Sequence, residues 1–288
     1  MKNLLNIFSV ICLTFLNILM APKFVDAKNS DFNNISLKKI SNYDNRVIEK
    51  LYNGSDSMPW KSRKKEIIKI KNELLRKVVY WNSLTVKNSG ATFHEIQRFI
   101  VDNPTWPLKL ELRKRAEESI KPSMKENLVI NWFKKYPPLT VDGSILLGSA
   151  FLKKLKNKKA IDIFQKTWIN GNFGKRQERQ FYRRYRKYLT KKNHIDRLDR
   201  LLWMGRYYPI RRMFNKVNKD YRALAFARIT LRQYRGGVDR AISKVPKILI
   251  NDPGLLYERL RWRRKKGRLD GALEILNKKP DELNYMAQ

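Results

Sequence analysis

Apolar residues recur along this chain with a helical period. Ile67, Ile70, Leu74, Val78 and Trp81 fall every three or four positions, which predicts one long amphipathic helix from Pro59 onward. Ile195, Leu198 and Leu202 repeat the pattern, as do Tyr221, Leu224, Ala225 and Ile229. No segment alternates apolar and polar residues at period two over the length of a strand. The breaks between periodic segments are short: Asn103-Pro104, Tyr136-Pro137-Pro138, Asn170-Gly171-Asn172, Gly236-Gly237 and Asn251-Asp252-Pro253-Gly254. Short breaks imply antiparallel helix hairpins, so the expected fold class is all-α.

A longer period lies over the helical one. Residues 205–210, 236–241 and 267–272 align, at a spacing of 31 residues each time. Glycine ends one helix in the left-handed conformation, and an aliphatic residue five positions on packs the next. Gly174 lies one period earlier, but its fifth residue on is Arg179, so the repeat fades there. A helix pair of about thirty residues is the unit of a TPR-like α-solenoid, or superhelix. The expected organisation is a signal peptide over 1–27, a loosely ordered leader over 28–58 and a superhelical domain over 59–288. The leader is expected to hold one short helix near 45–52. The last unit supplies one helix before Lys278-Lys279-Pro280, and 281–288 is too short to be its partner. The expectation is therefore that the chain stops within the superhelix.

The N-terminus changes the cellular picture. Lys2 precedes an apolar run over 4–20, and Val25-Asp26-Ala27 has the small-x-small form of a cleavage site. That is the layout of a secretory signal, with cleavage expected after Ala27 and delivery to the periplasm. Cys12 falls inside the removed segment, which leaves the mature chain without cysteine. No later stretch is long and apolar enough to suggest a membrane span.

Composition then adds charge. The 288 residues carry 63 Lys and Arg against 26 Asp and Glu, a formal net charge of +37. With 42% hydrophobic residues the chain can bury a sizeable core, which excludes wholesale disorder. The cations cluster. Seven of the ten residues over 259–268 are Lys or Arg, and so are nine of the residues over 175–192, against the single Glu178. The second cluster is interleaved with Phe181, Tyr182, Tyr185 and Tyr188, read as packing residues rather than stacking platforms. Arg183, Arg184, Arg186, Arg259, Arg261, Arg263 and Arg264 are the candidate contacts to a polyanion or glycan. Solvated faces in a basic chain are the plain alternative reading. Nucleic acid is the other polyanion to weigh, and the export signal argues against it.

Candidate chemistry is sparse. Cys12 and the two histidines, His94 and His194, leave no metal or thiol site, and no cofactor fingerprint occurs. Both histidines are expected at helix starts, with helix-terminal hydrogen bonds. Glu117-Glu118 and the pair Asp196 and Asp199 are expected on solvated helix surfaces with intrahelical ion pairs. No catalytic constellation is evident.

Several segments, taken in order, nevertheless resemble a known family. They are Asn103-Pro104-Thr105-Trp106-Pro107, Trp132-Phe133 with Pro137-Pro138-Leu139-Thr140, and Trp168 with Gly171-Asn172-Phe173, followed by 194–203 and 252–264. Together they look like the N-terminal superhelical region of soluble lytic murein transglycosylases. The resemblance implies a periplasmic protein that engages peptidoglycan or its anionic stems. In that family a separate lysozyme-like domain cleaves the glycan, using a Glu-Ser motif and a downstream Gly-Leu-Met-Gln segment. This chain has no Gly-Leu-Met-Gln, and Glu118-Ser119 falls within the superhelical match. No catalytic residue carries over. The resemblance thus implies a non-catalytic helical part that serves a separately encoded lysozyme-like unit. The alternative is a basic repeat module for nucleic acid or an acidic partner.

Overall fold

The structure, a computed structural model, describes residues 40–53 and 58–277. The expected signal segment and cleavage site, most of the expected leader and the residues beyond Asn277 lie outside the described residues. Every regular element described is a helix, so the chain is all-α. Fifteen α-helices are described: α1 (Asn42–Asn53), α2 (Trp60–Ile68), α3 (Glu73–Thr85), α4 (Phe93–Asp102), α5 (Lys109–Ser119), α6 (Glu126–Lys135), α7 (Val141–Lys153), α8 (Asn157–Asn170), α9 (Lys175–Tyr185), α10 (Lys191–Trp203), α11 (Tyr207–Met213), α12 (Lys219–Arg232), α13 (Val238–Ser243), α14 (Pro253–Lys265) and α15 (Leu269–Asn277).

Two compact units divide the described chain. The first comprises 40–53, 58 and 63–76, and the second 59–62 and 77–277. The division therefore interleaves the two sides of the boundary expected at residue 59. In the first unit Val47, Leu51, Ile67 and Ile70 form the apolar interior. Asp44 is buried there and accepts the backbone N–H groups of Lys71 (2.8 Å) and Asn72 (3.2 Å).

Those two bonds explain a departure from the sequence pattern. The expected long helix breaks at 69–72, between α2 and α3. Asn72 caps the new start through its side-chain oxygen, which accepts Leu75 N–H at 3.0 Å. The phase shifts with the break. Leu74 is exposed, and Val79, Ser83 and Leu84 are the buried positions of α3.

In the second unit three apolar clusters follow one another. The first gathers Phe93, Phe99, Leu112 and Trp132, the second Phe164, Trp168, Phe181 and Leu198, and the third Leu224, Leu231, Val238 and Leu255. Contacts run between near neighbours: α7 packs on α8, α8 on α10, α10 on α12, and α12 on α14. The proline and glycine breaks fall between helices as expected, with Pro253 opening α14 behind the N-cap Asp252.

A recurrent helix end organises this unit. Leu155, Gly205, Tyr234 and Gly267 all take positive φ, at 57°, 65°, 53° and 72°. In each case the next residue's N–H reaches back five positions, from Lys156 to Phe151, Arg206 to Leu201, Arg235 to Thr230 and Arg268 to Arg263. These are Schellman closures, and Ala160, Ile210, Ala241 and Ala272 are buried in the helices that follow. The 31-residue spacing therefore holds for the buried Ile210, Ala241 and Ala272, but not for the helix ends. Tyr234, not Gly236, occupies the place of Gly205. Gly237 instead precedes α13 in the left-handed region, at φ 75°. Gly174 has φ −70° and opens α9, so it ends no helix.

Candidate polyanion interface

Two of the cations are internal: Arg197 and Arg228 are buried among the described residues. Arg197 on α10 is 1% exposed, and its guanidinium donates to Trp168 O at 2.5 Å and Gly171 O at 3.1 Å, at the end of α8. It pairs with buried Glu178 at 3.3 Å and lies over the Trp168 and Phe173 rings. Burial lowers its pKa to about 10, with Glu178 opposing the fall, so it stays charged at neutral pH. Arg212 holds the same carboxylate at 2.8 Å. The device recurs 31 residues on. Buried Arg228 pairs with Asp199 at 2.5 Å and Asp252 at 3.4 Å, over the Trp203 ring. Arg232 donates to the last carbonyls of α10, Leu202 O and Trp203 O, and meets buried Glu258 at 3.3 Å. Helix C-termini leave carbonyls unpaired, and these arginines supply the donors.

Two expectations about carboxylates are corrected here. Glu118 does form an intrahelical pair with Arg115, but Glu117 is buried and accepts Leu139 N–H, Thr140 N–H and the Thr140 hydroxyl. Burial raises its pKa, against the pull of those three donors. Asp196 and Asp199 are both half-buried; Asp196 pairs with Lys192 four residues away, whereas Asp199 serves the buried Arg228. Glu117 and Asp199 thus meet groups more than twenty residues away, which local spacing does not encode.

Both histidines stand in the first turn of a helix, as expected, but the capping hydrogen bonds are made by other residues. Thr92 and Thr190 cap α4 and α10 with capping boxes. His194, in the first turn of α10, turns to α8, where its Nδ1 accepts Trp168 Nε1–H at 3.0 Å. Burial lowers its pKa, with Lys216 and Arg197 adding to the effect. His94 lines a cleft of about 200 Å³ with Tyr80, Glu95, Arg98 and Asp102. Among the described residues no group of three or more His, Cys, Asp or Glu is placed to hold a metal ion, and no helix is long and apolar enough to cross a membrane.

The structure divides the seven arginines singled out in the sequence. On α14, Arg261 pairs with Glu258 at 3.5 Å, and Arg263 bonds Gly271 O and reaches Glu274 at 3.4 Å. Arg259 is half-buried, and burial lowers its pKa, with Arg263 adding to the fall and Glu274 opposing it. Only Arg264 of this set is exposed. Arg183, Arg184 and Arg186 are all exposed, on α9 and the short turn after it.

The α9 helix has a sharply divided section. Glu178, Phe181 and Tyr185 are buried, while Lys175, Arg176, Arg179 and Arg183 are exposed. At 100° per residue the four outer cations fall within an arc of about 100°, and Arg186 follows on the same side. The one carboxylate of α9 points inward, where Arg197 and Arg212 hold it. Neighbouring like charges about 6 Å apart repel by roughly 0.7 kcal/mol in water. Lys175 and Arg176 also stand in the first turn, where the helix dipole disfavours cations, and the N-cap Gly174 offers no side chain. The tyrosines are packing residues: Tyr185 stacks on Phe164 at 4.1 Å and bonds Ser149 at 3.2 Å. Arg184 turns to a second cavity, of about 180 Å³, beside Tyr185, Ser149 and Lys153.

Comparison of the chain with family models, curated protein sequences and solved structures returns no match. An open cleft of about 590 Å³ adjoins the start of α9, lined by Thr140, Asp142, Lys166, Asn170, Asn172 and Gln177 among others. Gln177 of α9 donates to Asp142 at 2.9 Å across it. Local sequence did reveal the α9 cations, but that none of the outer five forms an ion pair among the described residues depends on where Glu178 turns.

Proposed function

We propose that this chain is an exported, non-catalytic α-solenoid that holds an anionic cell-wall polymer along the outer face of α9. The observation that carries the reading is the arc of Lys175, Arg176, Arg179, Arg183 and Arg186, which form no ion pair among the described residues, with the one carboxylate of α9 drawn into the interior. A surface that repels itself gains most when an anion arrives. The amide-lined cleft beside it has a size suited to part of a glycan, which favours peptidoglycan and its carboxylate stems over a naked polyanion. The leader over 1–27 and the resemblance to murein transglycosylase superhelices support the same polymer and the periplasm. The run of contacts from α7 through α14, with its repeated helix ends, supports a solenoid. Cleavage is assigned to a separately encoded lysozyme-like unit, not to this chain.

The test is cosedimentation with purified sacculi. Replacing Lys175, Arg179, Arg183 and Arg186 by Gln should release most of the protein into the supernatant. Replacing Lys158, Lys219, Arg222 and Arg240, exposed elsewhere, removes the same charge and should leave binding largely intact. Equal losses would reduce the interaction to bulk charge. Steeply salt-dependent RNA binding without sacculus association would establish the nucleic-acid alternative instead.

A further inference from the structure

The last described helix has more apolar surface than its neighbours cover. Ala272 and Ile275 of α15 are buried, and α15 packs on α14. Leu269, Leu273 and Leu276 stand out in solvent, 62%, 57% and 47% exposed. On a helical projection the three leucines fall within about 60° and adjoin the buried pair, so the apolar arc spans about 160°. An arc that wide belongs to a helix covered on two sides. The uncovered side is held in place rather than frayed. Arg263 bonds Gly271 O and Glu274 from the opposite side of α15, and a Cβ on Gly271 would meet its guanidinium at 2.9 Å.

We propose that the Leu269, Leu273 and Leu276 face is a docking surface for an acidic amphipathic helix of a partner protein. The charge around it selects the occupant. Arg264 and Lys265 are exposed at the end of α14, and Lys266 and Arg268 on the turn that leads into α15; Asp270 lies about 60° from Leu273 around the helix and Glu274 about 100°. A second copy would bring the same cations and a net +37 against this chain, which like-charge repulsion opposes. A helix with leucines at i, i+4 and i+7 and flanking glutamates matches both the stripe and the cations. This surface is separate from the α9 face, so its failure leaves the sacculus result untouched.

The probe is a synthetic 18-residue helical peptide with that pattern, titrated into the full chain by fluorescence anisotropy. A lysine-flanked version and a version with serines for the leucines are the controls. Binding of the glutamate peptide should be at least tenfold tighter than binding of either control. Leu273→Asp should weaken it at least tenfold, while circular dichroism shows helix content unchanged; Leu276→Ser, a milder change at an exposed position, should weaken it severalfold. Several results would overturn the proposal: no binding by the wild-type chain, as when its own 278–288 segment covers the face; equal affinity for the lysine peptide; or indifference to both leucine variants. A wild-type dimer that Leu273→Asp converts to monomer would also overturn it, in favour of a second copy.

Discussion

Replacing Glu178 by Ala tests the internal charge network most severely. The carboxylate meets Arg197 at 3.3 Å and Arg212 at 2.8 Å. Arg212 is partly exposed and can turn its charge to water, whereas Arg197 is 1% exposed and its remaining partners are two backbone carbonyls and two aromatic rings. Removing one partner of a buried pair leaves an uncompensated charge, which costs about 3–5 kcal/mol. For a unit of this size each kcal/mol moves Tm by roughly 2–4 °C, so the loss should be about 6–20 °C. Circular dichroism at the helix band, followed through heating, reads it directly. The double variant Glu178→Leu with Arg197→Met removes both charges and should recover a substantial part of the loss. It will not recover all, because Arg197 also satisfies Trp168 O and Gly171 O. A shift under about 2 °C in Glu178→Ala, or a double variant no more stable than the single, would refute the reasoning.

Three further outcomes follow from particular residues. Leu155 ends α7 in the left-handed region at φ 57° and is 85% exposed, so Leu155→Gly should stabilise the protein by about 1 kcal/mol in urea denaturation. Gly205→Ala should do the reverse, since its φ is +65° and its Cβ would meet the Arg232 guanidinium at 3.0 Å. His194 has a pKa below its ordinary 6.5 through burial, so its neutral form is favoured in the fold. The stability it contributes is present above pH 6.5 and is lost as pH falls through the lowered folded value. Unfolding free energies at pH 7.5 and 5.5 should show that loss, and His194→Phe should make the loss smaller. Incubation of the chain alone with sacculi should release no anhydro-muropeptides by chromatography, and their release would place chemistry in this chain.

The helical class was legible because its cause is local. Leu198 and Leu202 are buried in α10, and Leu224, Ala225 and Ile229 in α12, where the three-to-four spacing put them. Proline and glycine breaks were legible for the same reason. The break at 69–72 was not, because Asp44 stabilises it from 27 residues away. The helix ends at Leu155 and Tyr234 were hidden because neither residue favours positive φ. There the Schellman bonds and neighbouring packing override the local preference. The site was half legible. Runs of Lys and Arg stood out, but sequence does not say which arginines turn inward. Arg197, Arg228 and Arg232 brace neighbouring helices, and Arg261 and Arg263 are held by Glu258 and Glu274. Except for Arg261, whose partner Glu258 is on the same helix, what separates these from a free cation is a carboxylate or carbonyl contributed by another element.

The most direct test of the central idea is the salt dependence of sacculus binding, measured for the wild-type chain and for the variant with Lys175, Arg176, Arg179, Arg183 and Arg186 all changed to Gln. If the α9 arc grips the polymer, log affinity should fall steeply and linearly with log salt for the wild type, and the slope should flatten markedly in the variant. Parallel lines of equal slope for the two proteins would contradict the account, because the anion would then be held elsewhere.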